Sequence, residues 1–543
     1  MTTPPLDYAA CRARFRHAAT VAGATLHSAP IDGAGPDGAD LTIDVALLGP
    51  AQPERLLVLL SGVHGVEGFV GSAIQCDLLE APPALPPRTG VLLVHAVNPW
   101  GMAWLRRQNE HNVDLNRNWA RSRTPFPANP DYADLHPDLC PADLGDTREF
   151  LTRMQAHVDR LGLARVAAAI SGGQDTHPDG MHYAGVTTED SNLLLAATLP
   201  GLADPGGALR EVLVVDLHTG EGGPGEVVLL AGGPAGSPNH EWLVARFGTD
   251  AVRATDGSTP GRIAPGVASC WPGAAHHFVT VEFGTVSDTR QLAAARDELW
   301  WHTHGDATDP RAVAARAAYR RAFTPDDPAW MEQARHHGAL LVRAGLAAIG
   351  PPTDGLGWLG ARGRDGGIDR IPLPSGVRGG LSACGKHAIG PDHDAAVARA
   401  GATTVVCLVE AYELEDRYPE YLAWLRSAAA AGTAVWFPIH DLHAPPLDRA
   451  LELLAELRRR LDAGEHLLLH CAAGIGRTGT VAACLLIGMG MDAPAALAHV
   501  AAHRPMAGPE VGAQQDLVAA VAAQVQTMTT TSQPTARRPS APR

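Results

Sequence analysis

A cysteine and an arginine stand at C-x5-R spacing in the stretch His470-Cys471-Ala472-Ala473-Gly474-Ile475-Gly476-Arg477-Thr478. The apolar run 467–469 before it predicts a buried strand, and the run that begins at Val481 predicts a helix. A Gly-bearing loop at a helix N-terminus points backbone N–H groups at an anion. Arg477 can add a bidentate fork for phosphate oxygens, and the positive surroundings favour the thiolate of Cys471. A phosphate held against a thiolate indicates phosphoryl transfer through a phosphocysteine.

This stretch resembles the signature loop of the cysteine-based protein-tyrosine phosphatase superfamily. Upstream, Pro438-Ile439-His440-Asp441 matches the place where that family keeps a general-acid aspartate on a loop. The resemblance covers roughly residues 351–525 and is closest to the small dual-specificity group, especially proteins like cyclin-dependent kinase inhibitor 3. It implies that Asp441 protonates the leaving oxygen and then activates water. It also implies that Thr478 stabilises the departing thiolate.

The resemblance places further residues around the phosphate. His470, Gly474 and Gly476 belong to the loop that binds it, and a water-positioning glutamine falls on Gln514 or Gln515. No cofactor is expected for this chemistry. The combination of His470, Gly474, Thr478 and Asp441 favours a phosphatase over a chance buried cysteine or a rhodanese-like loop, which lacks the upstream acid. A module that binds phosphate without hydrolysing it stays open as an alternative.

A second set of residues in the first half of the chain could hold a metal ion. His64 and Glu67 stand at H-x-x-E spacing in a Gly-bearing turn after an apolar run, and His218 follows another apolar run. Two histidines and one glutamate make a three-ligand zinc site with an open position for water. Glu282, near the end of a third strand-like run, is a natural general base.

These residues resemble those of the zinc carboxypeptidases and their deacylase relatives. The resemblance puts the zinc ligands on His64, Glu67 and His218 and the general base on Glu282. It also puts a substrate-carboxylate site on Asn116 and Arg117, and the arginine that polarises the carbonyl on Arg107, with Arg106 as the alternative. The stretch 171–183 looks like that of an uncharacterised bacterial branch, which matches most of 1–345. No residue clearly matches the substrate-clamping tyrosine of digestive carboxypeptidases.

Length and charge limit the remaining possibilities. The chain has 543 residues, which predicts two or three domains, and a formal net charge of −15, which gives no support to nucleic-acid binding. Its eight cysteines form no C-x-x-C pair, and a thiolate enzyme needs a reducing compartment, so we expect a cytoplasmic protein. No signal peptide and no membrane contact is expected, because the apolar stretch near 481–491 is too short to span a bilayer.

Alternating apolar and helical segments predict an α/β protein of two domains. We expect a mixed-sheet zinc carboxypeptidase-like domain over 1–350, a protein-tyrosine phosphatase-like α/β domain over 351–526, a linker at 350–355 and a disordered tail over 527–543. In the first domain the predicted strands are 55–61, 90–97, 211–217, 226–231 and 277–283, and the predicted helices are 68–80, 146–163, 288–303 and 327–346. In the second, the predicted strands are 403–409, 434–438 and 466–470, and the predicted helices are 417–430, 447–461 and three more after the signature loop.

The sequence thus predicts a bifunctional hydrolase. One site would dephosphorylate a phosphorylated protein or a small phosphate ester. The other, with Zn²⁺ bound, would hydrolyse a carboxylate-bearing peptide or an N-acyl amino acid. The alternative is a phosphatase whose N-terminal domain is a metal-free scaffold.

Overall fold

The computed structural model describes residues 7–123, 125–248, 251–349, 367–415, 417–441, 443–504, 507–510 and 512–531. The chain divides into two compact units, Met1–Arg364 and Asp365–Arg543. The predicted linker at 350–355 lies outside the described residues. Each of the two units contains one of the two predicted sites.

An eight-stranded sheet forms the frame of the first unit. Its strands lie in the order β1-β2-β4-β3-β5-β8-β6-β7. The four strands β4, β3, β5 and β8 run parallel, whereas β2 pairs antiparallel with both its neighbours and β6 pairs antiparallel with β8. The mixed sheet is therefore confirmed. The strands are β1 (Thr25–Ala34), β2 (Asp40–Leu48), β3 (Arg55–Ser61), β4 (Thr89–His95), β5 (Glu211–Gly220), β6 (Val227–Leu230), β7 (Val252–Arg253) and β8 (Ala275–Gly284).

Helices of the first unit begin at polar caps in several places; Asp7 accepts a hydrogen bond from Ala10 N, for example. The helix predicted over 146–163 is confirmed as Thr147–Leu161; it ends at Gly162, whose φ is 86°, and a second helix, Leu163–Ser171, follows it directly. The α-helices are α1 (Tyr8–Val21), α2 (Gly68–Glu80), α3 (Pro99–Trp104), α4 (Pro130–Leu139), α5 (Thr147–Leu161), α6 (Leu163–Ser171), α7 (Asp190–Ala203), α8 (Pro238–Phe247), α9 (Ile263–Ala268), α10 (Asp288–His304), α11 (Pro310–Phe323) and α12 (Pro328–Ala348). Short 3-10 turns cover Gly65–Glu67, Leu115–Arg117 and Arg121–Arg123.

The parallel strands bring the predicted metal-site residues to one edge of this sheet. β3 and β5 are buried along almost their whole length, which explains why both appear in the sequence as continuous apolar runs. Because β3, β5 and β8 are parallel, their carboxyl ends lie side by side. In register, Ser61 pairs with Leu217, and His218 pairs with Glu282.

The second unit contains a five-stranded sheet in the order β12-β11-β13-β10-β9, parallel except for β9. Its strands are β9 (Asp369–Ile371), β10 (Gly380–Gly385), β11 (Thr404–Cys407), β12 (Ala434–Trp436) and β13 (His466–Cys471). Its helices are α13 (Lys386–Ile389), α14 (His393–Ala400), α15 (Tyr412–Glu415), α16 (Pro419–Ala430), α17 (Leu447–Ala463), α18 (Gly476–Gly488), α19 (Ala493–His503) and α20 (Gly512–Thr531). The central strand β13 thus ends at Cys471, and α18 begins in the signature loop.

Most predicted elements of the second unit are confirmed within a few residues, including the three helices after the loop. The tail predicted from residue 527 is helical as far as Thr531, and 532–543 lie outside the described residues. Within the described ranges, no helix has both the length and the apolar character that a membrane crossing requires.

Candidate active sites

The signature loop wraps around the sulfur of Cys471. This residue is only 2% exposed, and its Sγ accepts a hydrogen bond from the backbone N–H of Gly474 at 3.2 Å. Gly474 has a φ of +73°, and a Cβ at this position would collide with the carbonyl oxygen of Cys384. A glycine is therefore required for the loop to direct its N–H groups at the sulfur.

Arg504 fixes the loop from behind. Its Nε donates to the carbonyl oxygen of Gly474 at 2.6 Å, and its Nη2 donates to that of Ala473 at 3.1 Å. An ion pair with Asp369 at 2.7 Å compensates the buried charge. The two hydrogen bonds from Arg504 hold the carbonyl groups of Gly474 and Ala473 outward. The N–H groups of the loop are therefore left to face an anion. Arg504 belongs to no motif that was recognised in the sequence.

Arg477 is held by three groups, one on the short helix α15 and two on the loop after β12. Its Nη1 and Nη2 donate to the two carboxylate oxygens of Glu413 at 2.7 and 2.9 Å. Nη1 also donates to the carbonyl oxygen of Ile439 at 2.8 Å, and Nη2 lies 3.1 Å from Asp441 Oδ1. Burial disfavours the charged guanidinium, but Glu413 and Asp441 raise the pKa of Arg477 above its ordinary value. The predicted acid and the predicted phosphate ligand therefore lie together.

Three more predicted residues lie around this loop. Thr478 Oγ is buried and has no hydrogen-bond partner within the described ranges, so it can donate to a thiolate. His470 is buried beside Cys471, where Tyr421 Oη lies 2.6 Å from its Nε2, and burial lowers its pKa to about 4. Gln514 is buried and its Nε2 donates to the carbonyl oxygen of His443, on the Asp441 loop, at 3.3 Å. Gln515 is exposed, so of the two glutamines Gln514 is the one that is buried next to the Asp441 loop.

Glu413 provides the first test. Glu413→Gln removes the carboxylate charge and one of the two hydrogen bonds by which Glu413 holds Arg477, so that the guanidinium is positioned only by Ile439, Asp441 and a single amide oxygen. We expect kcat/KM for an aryl phosphate to fall by roughly 10- to 100-fold. Glu415→Gln is the matched control, because Glu415 is on the same helix but is exposed and faces Arg426 at 3.5 Å. Equal activities of the two variants would show that Glu413 does not position Arg477.

In the first unit, His64, Glu67 and His218 converge at the end of the parallel strands. Among the described residues, these three side chains form a group that could hold a metal ion. Their ligand atoms all lie within 4.8 Å of one another. The Nδ1 atoms of the two histidines lie 3.0 Å apart, and His64 Nδ1 lies 2.9 Å from Glu67 Oε1. Burial opposes ionisation of Glu67, but His64 and His218 hold its pKa below its ordinary value. Two imidazoles and a carboxylate aimed at one point match the donor set that zinc prefers.

Two aspartates orient the histidines from behind. His218 Nε2 lies 2.8 Å from Asp216 Oδ2, and His64 Nε2 lies 3.3 Å from Asp114 Oδ1. Each histidine thus directs Nδ1 at the site and can donate from Nε2 to a carboxylate. Burial disfavours the charged form of Asp114, but Arg107 and His64 lower its pKa well below the ordinary value. The sequence analysis gave neither aspartate a role.

Arg107 lies at this site and Arg106 does not. Arg107 Nη1 lies 3.3 Å from Glu67 Oε1, and its Nε lies 3.1 Å from Asp114 Oδ2. Arg106 is buried against Glu298 at 2.8 Å. Of the two alternatives in the sequence, the structure therefore places Arg107 where a substrate carbonyl could meet it.

Glu282 lies half-buried beside His218 on the neighbouring strand. Burial raises its pKa to about 8, and Glu67 adds to the shift. A divalent cation at the site would oppose this shift. In its carboxylate form, which a cation would favour, Glu282 can accept a proton from water.

The predicted carboxylate site is only partly open. Arg117 is 8% exposed, and its Nη1 and Nη2 donate to the carbonyl oxygens of Asn116 and Ser171. Asn116 Oδ1 accepts from Ile263 N at 2.9 Å, which leaves its NH₂ group to meet a ligand. His182, which the sequence analysis missed, lies half-buried near Arg107 with a φ of +51°, and burial lowers its pKa to about 3. A left-handed backbone at a non-glycine residue is common at binding sites.

Asp216 provides a second test. Asp216→Asn removes the carboxylate charge that lies 2.8 Å from His218 Nε2, and such changes typically lower metal affinity by about 10- to 100-fold. Competition with a chelator would measure the dissociation constant of zinc. Asp44→Asn is the control, since Asp44 is equally buried on β2 but pairs with Arg16 at 2.7 Å. Unchanged zinc affinity in Asp216→Asn would show that Asp216 does not support metal binding.

Comparison with known families assigns a relationship to each unit. The family described as "Protein of unknown function (DUF2817)" matches residues 6–337. The family described as "Swiss Army Knife protein, DSP-PTPase phosphatase domain" matches residues 377–537. The second unit is thus a phosphatase domain of the dual-specificity type, as its signature loop predicted. No curated protein matches the chain.

Several solved phosphatase structures are similar to part of the chain. Tk-PTP in its active form is 27% identical over 29% of this chain and 97% of its own, with a TM-score of 0.23. Human DUSP28 is 21% identical over 30% and 95% of the two chains, with a TM-score of 0.23. Kinase associated phosphatase, with serine replacing its catalytic-site cysteine, is 20% identical over 29% and 95%, with a TM-score of 0.25.

Proposed function

We propose that this chain, which belongs to the DUF2817 family and also carries a dual-specificity phosphatase domain, is a hydrolase with two independent active sites. The phosphatase site would act on phosphorylated tyrosine, serine or threonine. The metal site would hydrolyse an amide bond next to a free carboxylate, in a peptide or an N-acyl amino acid.

At the phosphatase site, the proposal rests on Asp441 and Arg477 lying together, 3.1 Å apart, in the unit that contains Cys471. The Cys471 sulfur attacks phosphorus as the ester oxygen leaves, and the Asp441 carboxyl protonates that oxygen. Arg477 and the loop N–H groups stabilise the charge on the transferring phosphoryl group. Water then attacks phosphorus, Asp441 takes its proton, and Thr478 donates to the departing thiolate. Inorganic phosphate is released.

A substrate panel tests this part of the proposal. It contains a generic aryl phosphate together with phosphotyrosine, phosphoserine and phosphothreonine peptides of one sequence. We expect phosphate release from the aryl phosphate and from at least one peptide. Tight binding of phosphopeptides with no release at any pH would favour the alternative of a phospho-binding module.

At the metal site, the observation that carries the proposal is the convergence of His64, Glu67 and His218 with both histidines backed by aspartates. Bound zinc would polarise a carbonyl and make a water molecule more acidic. Arg107 would donate to the carbonyl oxygen of the substrate, and Glu282 would take a proton from the attacking water and deliver it to the leaving nitrogen. Asn116 and Arg117 would orient the substrate by its carboxylate.

Metal analysis and an amide panel test this second part. Protein prepared without chelators should retain about one zinc per chain, and His64→Ala should lose it. The zinc-loaded protein should hydrolyse at least one N-acyl amino acid or C-terminal peptide. Protein that binds no zinc, with or without His64, would support the alternative of a non-catalytic scaffold.

A further inference from the structure

Arg262 lies beside the predicted carboxylate site of the first unit. This residue lies on the loop between β7 and α9 and is half-buried. Hydrogen bonds on either side fix its backbone against the predicted carboxylate site: Trp119 N donates to the carbonyl oxygen of Gly261 at 2.9 Å, and Ile263 N donates to Asn116 Oδ1 at 2.9 Å. Arg262 therefore lies directly beside the Asn116–Arg117 segment.

The side chain of Arg262 reaches the same face of the sheet as the metal ligands. Its Nη2 donates to Thr280 Oγ1 at 3.5 Å. Thr280 and Glu282 are two residues apart on β8, so their side chains lie on one face. Their register partners on β5 are Asp216 and His218, which belong to the metal site. The guanidinium thus contacts a side chain on the same strand face as Glu282, two residues or roughly 7 Å of strand length before it.

Arg262 forms no ion pair with any of the residues that the structure describes. Among the described residues, no carboxylate lies within 4 Å of its guanidinium, and the nearby Asp256 is exposed and bonded to Ser258. The neighbouring Arg253 differs, since it pairs with Glu226 at 2.8 Å and with Glu221 at 3.4 Å. Arg262 is also close enough to disfavour the charge on Arg117, whose pKa burial already lowers to about 10. Two neighbouring cations that have no ion-pair partner in the described part of the chain favour the binding of an anion.

We propose that Arg262 binds a second carboxylate of the substrate, so that the metal site prefers amides of aspartate or glutamate over amides of neutral or basic amino acids. In this arrangement Asn116 and Arg117 hold the α-carboxylate, and Arg262 holds the side-chain carboxylate. The inference rests on the proposed amide hydrolase function of this site. Both N-acyl amino acids and peptides that end in an acidic residue contain this chemistry.

Hydrolysis of matched substrates tests the preference. The panel contains the N-acetyl derivatives of glutamate, glutamine, leucine and lysine, and peptides of one sequence that end in each of these residues. For zinc-loaded wild type we expect kcat/KM for glutamate to exceed that for glutamine by roughly 10- to 100-fold. Arg262→Gln should abolish the difference, Arg262→Lys should retain part of it, and Arg262→Glu should favour lysine. Arg253→Gln, the control, should leave the preference unchanged.

Binding provides a readout that does not depend on turnover. Calorimetry with Glu282→Gln should show that N-acetylglutamate binds more tightly than N-acetylglutamine, and that adding Arg262→Gln removes the difference. A uniform loss for all four amino acids in Arg262→Gln would overturn the inference, since Arg262 would then hold the α-carboxylate. Hydrolysis without an acidic preference would also overturn it. The proposed function itself fails if wild type hydrolyses no substrate faster than Glu282→Gln does and if no amino acid derivative binds.

Discussion

Replacing Cys471 with serine should lower the turnover of an aryl phosphate by at least about 10⁴-fold. A serine hydroxyl holds its proton near neutral pH, and no side chain among the described residues contacts position 471 as a general base. The phosphate should still bind, because Arg477 and the loop N–H groups are unchanged. We therefore expect steady-state turnover to vanish while the affinity for inorganic phosphate stays within a few-fold of the wild-type value.

Cys484→Ser is the matched control for this change. Cys484 is 1% exposed on α18 and lies outside the signature loop. Cys484→Ser makes the same chemical replacement but leaves the proposed nucleophile in place. Turnover should therefore stay near the wild-type rate in the fraction of protein that is folded. Comparable turnover by Cys471→Ser and Cys484→Ser would contradict a phosphocysteine mechanism.

The second large effect should come from Glu282→Gln. General bases typically contribute about 10²- to 10⁴-fold to a hydrolysis rate, and glutamine cannot take a proton from water. Because Glu282 is not among the three converging ligands, zinc content should stay at the wild-type level. The expected result is a loss of amide hydrolysis without a loss of metal.

His218→Ala separates the two roles. It removes a ligand and should lose both zinc and amide hydrolysis, as measured by metal analysis and product release. Phosphate-ester turnover by the same preparations is the internal control, and both variants should retain it. If Glu282→Gln hydrolysed amides at the wild-type rate, the assignment of the base would be wrong.

Sequence alone can predict those parts of both sites whose residues lie only a few positions apart in the chain. Cys471 and Arg477 are six positions apart in one loop, and the apolar run before them is buried at the centre of the sheet. The H-x-x-E spacing likewise brings His64 and Glu67 together within one turn. In both cases the chain geometry over a few residues fixes the relation, so little depends on the rest of the fold.

The supporting residues could not be predicted in the same way. Glu413 meets Arg477 from a short helix, Arg504 reaches the loop from the end of α19, and Arg262 reaches Thr280 from a loop. These contacts depend on how distant segments pack, and a single buried ion pair leaves no periodic signal in sequence. Asp216 could have been found, because a strand that ends in D-x-H places both side chains on one face.

Some elements were missed for a related reason. β10 (Gly380–Gly385) contains two glycines and only small or polar residues around Leu381, so it lacks the β-branched composition typical of a strand. It forms because β13 and β9 pair with it on both sides. Tertiary pairing thus overrides a weak local preference, and the short β9, which is not among the predicted strands either, depends on its pairing with β10.

The central claim is that one chain carries two independent hydrolytic sites. The most direct measurement records aryl phosphate hydrolysis and N-acyl amino acid hydrolysis in parallel, in wild type, Cys471→Ser and Glu282→Gln, each loaded with zinc. We expect wild type to catalyse both reactions, Cys471→Ser to lose only the first, and Glu282→Gln to lose only the second. Loss of both reactions in either variant, or retention of both in either variant, would contradict the claim.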